Sequence, residues 1–435
     1  MSDQRAAATM PDSDAAALQE QALQILTDLV AFPTVTSDSN LDLIAYAEAL
    51  LRDIGADIVI THDPHQPKAN LFATIGPTCD GGVVLSGHTD VVPAEGEWST
   101  PPFLADLRDG AIYGRGTADM KGFIACVLAM APRFAAAPLR LPVHIALTYD
   151  EEVGFLGAPV LLAELLRTGP RPGAAIIGEP TEFGVVAGHK GCHEFTTTIT
   201  GLEGHASAPA KGVNAVEEAS RYIAQLLQLR DELDARASAD SPYVPPGTTL
   251  NVGTINGGSA RNIVAGACSL EWDLRPVSRD DVDLVASTMA VYEAQAIGRM
   301  RLRAPDATIT TTTIAAVDGL EPLDGSPAVA LAQVLLDEVT VDVVAFGTEA
   351  GLFQQAGIPA IVCGPGSIDV AHKPDEYLPL EQLDRCLQML TRLTAHLSTR
   401  APEPGTPHGQ PTPPRTDPHL ANLPGGPADL PDHDL

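Results

Sequence analysis

The chain predicts an α/β fold: a mostly parallel sheet flanked by helices on both faces, interrupted by a smaller inserted α+β domain of two layers. Three observations carry this reading. Apolar runs of strand length alternate with helical patterns from early in the chain, the texture changes near Gly188 to alternating strands and two long helices, and the first texture returns after about Arg303. Near-continuous apolar strands separated by helices indicate a parallel sheet covered on both faces, because such a strand has no polar side to show to water.

The elements follow in order. Leu18, Leu23, Ile25, Leu26, Leu29 and Val30 recur with helical period, and LDLIAYAEALLRDI (41–54) repeats that pattern. Strand-like runs come next in ANLFATIG, GGVVLSGH, VHIALTYD and GAAIIGEP, with a helix over MKGFIACVLAMAPRFA (120–135) between the second and third. The insertion, 188–303, holds FTTTITG (195–201), a helix over GVNAVEEASRYIAQLLQLRDEL (212–233), the strands TTLNVGTING and ACSLEWDLRP, and a second helix over DDVDLVASTMAVYEAQAIG. Beyond it, SPAVALAQVLLDEV is helical, VDVVAFG is a strand, a short helix and the strand AIVCGPG follow, and LEQLDRCLQMLTRLTAHL is the last helix. The main domain is thus 15–187 joined to 304–399. Residues 1–14 and the Pro, Gly, His and Asp-rich segment 400–435 have no period and are expected to be disordered.

At 435 residues the chain can bury a large core. Acidic residues outnumber basic ones by 56 to 26, a formal charge of −30. Such a surface repels phosphate backbones and anionic lipid, so neither nucleic acid nor a membrane is an expected partner. The cysteines, Cys79, Cys126, Cys192, Cys268, Cys363 and Cys386, form no CxxC pair and fit free thiols in a reducing compartment. The start, MSDQRAAATMPDSDAAALQEQ, lacks the basic end and apolar core of a signal peptide, and no apolar run approaches the roughly 18 residues of a membrane span. The expected location is cytoplasmic.

In open α/β sheets, ligands gather beyond the carboxyl ends of the strands. Residue types that bind metals stand at those points here. His88 and Asp90 follow VVLSG, Glu151 and Glu152 follow VHIALTYD, Glu179 follows AAIIG, and His372 follows AIVCGPGSIDVA; Asp119, in GRGTADMKG, immediately precedes a helix. Singly, an HxD is more often a capped turn and a strand-end Glu is usually solvated. Their convergence on one sheet edge is the signal. Two His and three carboxylates are too many for one tetrahedral zinc with an open position, and they suit two metals about 3.5 to 4 Å apart sharing a carboxylate. A further carboxylate beside them can take a proton from water and return it to a leaving nitrogen. In Tyr149-Asp150-Glu151-Glu152 one acidic residue, Asp150, is left without a role.

The ordered motifs SGHTDVVP (86–93), YGRGTADMKG (113–122), TYDEEVG (148–154), GEPT (178–181), GTEAG (347–351) and GPGSIDVAHKPDEY (364–377) resemble the di-zinc aminoacylase and carboxypeptidase family of metallopeptidases, over roughly residues 15–398. The resemblance implies that His88, Asp119 and Glu179 hold one Zn2+, that Asp119 bridges, and that Glu152 and His372 complete the second site, with Co2+ or Mn2+ as substitutes. It makes Glu151 the general base and Asp90 the partner that orients His88. It also implies a cis peptide after Asp119. The insertion becomes a dimerisation and lid domain in which His205 (GLEGHASAP) stabilises the oxyanion and Asn262 (GGSARNIVAG) and Arg275 (WDLRP) bind substrate. Without the resemblance these read as turn residues and a surface ion pair. Gly347, Thr348, Gly366 and Ser367 lie on Gly-rich strand ends, where backbone N–H groups can approach a substrate carboxylate.

The implied activity is zinc-dependent amide hydrolysis of a small N-acyl amino acid by a homodimer. N2-acetyl-L-ornithine, deacetylated to L-ornithine and acetate as in arginine biosynthesis, is the first expectation. Succinyl-diaminopimelate, other N-acyl amino acids and glutamyl peptides are the alternatives, since pocket contacts decide among them. A non-catalytic binding protein of this fold would lack a ligand or the base, and every position is filled.

Overall fold

Eight strands make one sheet in the larger part of the molecule. Across it they run Asp57–His62, Ala69–Ile75, Val143–Thr148, Val83–His88, Ala174–Ile177, Ala360–Val362, Val185–His189 and Val341–Val344. The four central strands are parallel to one another. The first two strands add an antiparallel edge, Val185–His189 meets Ala360–Val362 antiparallel through a single residue pair, and the last pair is parallel. The sheet is mostly parallel, as the apolar runs predict. The computed structural model describes residues 12–398; the segments expected to be disordered lie outside that range, except that Asp12, Ser13 and Asp14 already open the helix Asp12–Val30.

Every residue of VHIALT and of VVLSGH is buried, because helices pack on both sides. Alternate side chains divide between two cores: Leu85, Ile145, Leu147 and Ile176 pack with the helices Asp12–Val30, Leu41–Asp53, Gly122–Ala136 and Leu380–Ser398. Val84, Ala146 and Ile177 pack on the opposite face with Leu161, Leu165 and Phe353. Each fully buried Leu or Ile contributes about 1.5 to 3 kcal/mol. The helix Gly122–Ala136 is buried almost all round, which is why its sequence shows no polar face.

The inserted part is a four-stranded antiparallel sheet in the order Thr249–Gly257, Ala267–Arg275, Cys192–Thr200 and Thr308–Val317. The helices Ala215–Arg236 and Arg279–Arg301 pack on it, with Tyr222, Leu226, Leu229, Val285 and Met289 against Ile199, Leu270, Trp272 and Leu274. Both helices begin at side-chain caps: Asn214 accepts the N–H groups of Val216 and Glu217, and Ser278 accepts that of Asp281. The insertion was expected to end at 303. Thr308–Val317 instead forms an edge of this smaller sheet, so the chain returns to the large sheet only after Val317. Its sequence, TITTTTIAAV, hides the strand because Thr fills most of it: only Ile309, Ala315 and Val317 are buried, and a bulge between Thr313 and Ala315 interrupts the pairing.

No helix among the described residues is long and apolar enough to cross a membrane. All six cysteines are free thiols, five of them buried.

Candidate metal centre

The strand Val83–His88 ends by delivering His88, 1% exposed, to the carboxyl edge of the sheet. Its Nδ1 donates to the backbone carbonyl of Asp90 at 2.9 Å, which turns Nε2 toward Asp119 Oδ1 at 3.0 Å and Glu179 Oε1 at 3.9 Å. Asp90 therefore orients His88 through its carbonyl; its carboxylate is 3.7 Å from the ring. That carboxylate instead accepts the N–H groups of Glu151 at 3.2 Å and Glu152 at 3.3 Å, and the Thr36 hydroxyl at 3.2 Å. One residue thus fixes the ring by its backbone and the two following glutamates by its side chain.

Asp119 sits in the turn Thr117–Lys121 that opens the buried helix, and the Asp119–Met120 peptide is cis. Its Oδ1 meets His88, and its Oδ2 lies 3.1 Å from His372 Nε2. His372, at φ +61° on the loop after Ala360–Val362, also lies 3.0 Å from Glu152 Oε1. Two groups of three ligand atoms result, His88–Asp119–Glu179 and Asp119–Glu152–His372, joined at Asp119; Glu151 forms a third group with His88 and Glu152. The residues expected to hold metals are brought together, and the carboxylate expected to act as base lies among them.

The electrostatics call for cations. Burial and the neighbouring Glu179 charge push Glu151 well above the usual carboxylate range, and burial and Asp119 do the same to Glu179. Burial and Asp119 also raise Glu152. Burial opposes ionisation of Asp119 as well, but hydrogen bonds with His372 and His88 outweigh it and hold Asp119 low. For His88 burial would lower the imidazole, yet the Asp119 hydrogen bond and the Glu179 and Glu151 charges raise it. The Asp119 and Glu152 hydrogen bonds lift His372 to about 10. Glu179 Oε1 is buried with no hydrogen-bond partner. A buried carboxylate oxygen without a donor beside like charges is what a divalent ion relieves, and two His with several carboxylates are a donor set for zinc or a similar metal.

The supporting roles of four residues escape sequence reasoning. Asp150, 1% exposed and at φ +55°, forms a buried ion pair with Lys68, itself 3% exposed. Glu349, inside GTEAG, is buried; Oε2 accepts the Thr148 hydroxyl at 3.0 Å, Oε1 has no partner, and burial raises the group to about 7. Glu376, inside the last motif, accepts backbone N–H groups around Asp119. Glu349 and Glu376 stand within quoted motifs and carried that much signal; Lys68, in QPKAN, carried none.

The other expected site residues are placed differently. His205 and Asn262 are neighbours on a two-stranded ribbon, where His205 faces Ile263 and Ala206 N–H donates to the Asn262 carbonyl at 3.1 Å. Both are exposed; His205 Nδ1 pairs with Ser207 Oγ at 2.7 Å, and no hydrogen bond or ion pair among the described residues joins it to the carboxylate cluster. Arg275 donates to Asp273 at 2.9 Å and lies 3.6 Å from Glu194. Thr348 is buried, and its hydroxyl accepts the Ala350 N–H. Gly366, at φ +95°, passes so close to Ala118 that a Cβ would stand 3.1 Å from the alanine methyl, one residue from Asp119. Ser367 donates to Glu182 at 3.3 Å, and Gly347 backs onto Cys192 and Phe155.

Residues 84–396 match peptidase family M20/M25/M40. The chain belongs to this family. Among curated relatives of this M20 chain, acetylornithine deacetylase of Proteus mirabilis (strain HI4320) is 37% identical over 383 residues, 85% of this chain and 95% of the relative. Acetylornithine deacetylase of Pasteurella multocida (strain Pm70) is 36% identical over 392 residues, 87% and 98% of the two chains. Among solved structures, an M20 family metallo-carboxypeptidase from Sulfolobus solfataricus shares the fold with a TM-score of 0.70 at 14% identity, covering 87% of this chain and 99% of that one. The Bacillus subtilis YXEP protein, a dinuclear metal-binding peptidase of the family, superposes with a TM-score of 0.60 at 16% identity over 88% and 98%.

Proposed function

We propose that this M20 chain is a two-metal amide hydrolase that deacetylates N2-acetyl-L-ornithine, giving L-ornithine and acetate. The observation that carries the reading is the sharing of Asp119 between two ligand groups, with Glu151 beside both. The acetylornithine deacetylase relatives support the substrate. Two zinc ions, when bound, polarise an acyl carbonyl and acidify the attacking water. Glu151 accepts the proton of that water and passes it to the departing nitrogen, so that amide and water become carboxylate and amine. The Asp90 carboxylate keeps Glu151 in place through its backbone N–H. His205 is the oxyanion donor in this reading, and Asn262 and Arg275 hold the substrate carboxylate with the backbone at Gly347, Thr348, Gly366 and Ser367. Because the ribbon of His205 is exposed, its contact with substrate is supplied by domain closure or by the second copy in a homodimer formed through the insertion.

The decisive experiment is a comparison of kcat/KM for acetylornithine, acetylmethionine, succinyl-diaminopimelate and a glutamyl peptide, with metal content measured on the same preparation. Preference for acetylornithine is expected. A preference for any other member moves the substrate and keeps the chemistry, and metal-loaded protein that cleaves none of them sinks the reading. Sedimentation at micromolar concentration is expected to show a dimer.

A further inference from the structure

The loops that carry Asp119 and His372 are tied together by one carboxylate that the proposed reaction does not use. Glu376 follows His372 on the same loop and is 1% exposed. Its Oε1 accepts the N–H groups of Ala118 at 2.9 Å and Asp119 at 3.0 Å. Its Oε2 accepts the Gly116 N–H at 2.9 Å and Arg115 Nη1 at 2.7 Å. The Glu376 carbonyl accepts the Gly114 N–H at 2.9 Å. Arg115 extends the tie, donating through Nη2 to the carbonyl of Pro93, in the loop that follows His88. Four donors on two oxygens use the full accepting capacity of a carboxylate, so its position, and that of the backbone around Asp119, has little freedom.

We propose that Glu376 is a positioning residue for metal binding: it sets Asp119 where both ligand groups can share it and keeps it in register with His372. This rests on the reading of Asp119 as the shared ligand. The geometry makes the charge and the length of the side chain matter separately. Glutamine would turn an amide N–H toward two N–H donors. Aspartate keeps the charge but is one methylene too short to reach Arg115 and the Ala118 and Asp119 amides together.

The test is zinc binding by the full chain, measured by competition with a chromogenic chelator, for Glu376→Gln, Glu376→Asp and the core control Leu390→Ala, whose side chain is fully buried in the last helix. Both Glu376 variants are expected to bind at least one zinc about 10- to 100-fold more weakly, and turnover lost at limiting zinc is expected to return as zinc is added. Leu390→Ala is expected to lower Tm and keep the original zinc affinity. If Glu376→Gln does not fold, Glu376→Asp decides. Unchanged zinc affinity in folded Glu376→Asp, or an equal loss in Leu390→Ala, overturns the proposal. An unsubstituted chain that binds no zinc overturns the ligand reading of Asp119 instead.

Discussion

The carboxylate cluster at the sheet edge and the polar ribbon of the insertion hold their side chains by different means. At the edge, His88, Asp119 and Glu179 are all at most 7% exposed, and each loop is anchored by buried groups: Asp90 under Glu151 and Glu152, Lys68 under Asp150, Glu376 under Asp119. On the ribbon, His205 and Asn262 are exposed, and His205 pairs with its near neighbour Ser207. Loops anchored by buried groups keep their geometry before substrate arrives, even though Glu179 Oε1 has no partner and His372 is itself exposed. Exposed groups paired locally acquire it only when something covers them. In the proposed reading the first region binds metal and moves a proton, and the second acts in a step that brings surfaces together.

The comparison breaks most directly at Glu151. Glu151→Gln is expected to lower kcat by about 10³- to 10⁴-fold while the metal content stays unchanged. Near-normal turnover would remove Glu151 as the base and with it the functional contrast. The next largest effect tests the anchoring itself. Lys68→Met leaves Asp150 buried without its counter-charge, and a loss of about 3 to 5 kcal/mol in chemical unfolding is expected. A loss below 1 kcal/mol would show that the loop under Glu151 does not depend on the pair.

Sequence showed the part of this organisation that lies at strand ends. The apolar runs fix where a parallel sheet stops, and the ligand types that follow them are adjacent in sequence to that point, so His88, Glu151, Glu152 and Glu179 were legible. The anchors were not, because a lysine in QPKAN or a glutamate in PDEY looks the same whether it meets water or a partner 82 or 257 residues away. The antiparallel edge strand Asp57–His62 and the Thr-rich strand Thr308–Val317 were missed for a related reason: edge strands keep one face exposed and so show a weak apolar pattern. Asp90 was legible as a neighbour of His88, but which of its oxygens meets the ring is a matter of backbone direction that composition does not carry.

The ribbon is sharpened by His205→Ala. As an oxyanion donor its loss is expected to cost about 10²- to 10³-fold in kcat, with metal content and Tm unchanged. A change in KM alone would make it a substrate-binding residue, and no change would leave the ribbon outside the reaction.

The smallest expected effect lies at the other end of the strand that leads to Glu151. His144 is fully buried near the start of Val143–Thr148; the Thr74 hydroxyl lies 3.0 Å from Nδ1 and the Gly81 carbonyl 3.4 Å from Nε2, an arrangement that suits a neutral ring. Burial lowers its pKa to about 4. Above the unfolded value near 6.5 the ring is neutral in both states and costs nothing. As pH falls from there toward 4, only the unfolded chain takes up the proton, so stability is lost across that window, by about 2 to 3 kcal/mol. His144→Gln is expected to lose less stability between pH 7 and pH 4.5 by that amount, measured by urea unfolding of metal-free protein. Parallel losses in both proteins would mean that burial at this end of the strand is relieved by water.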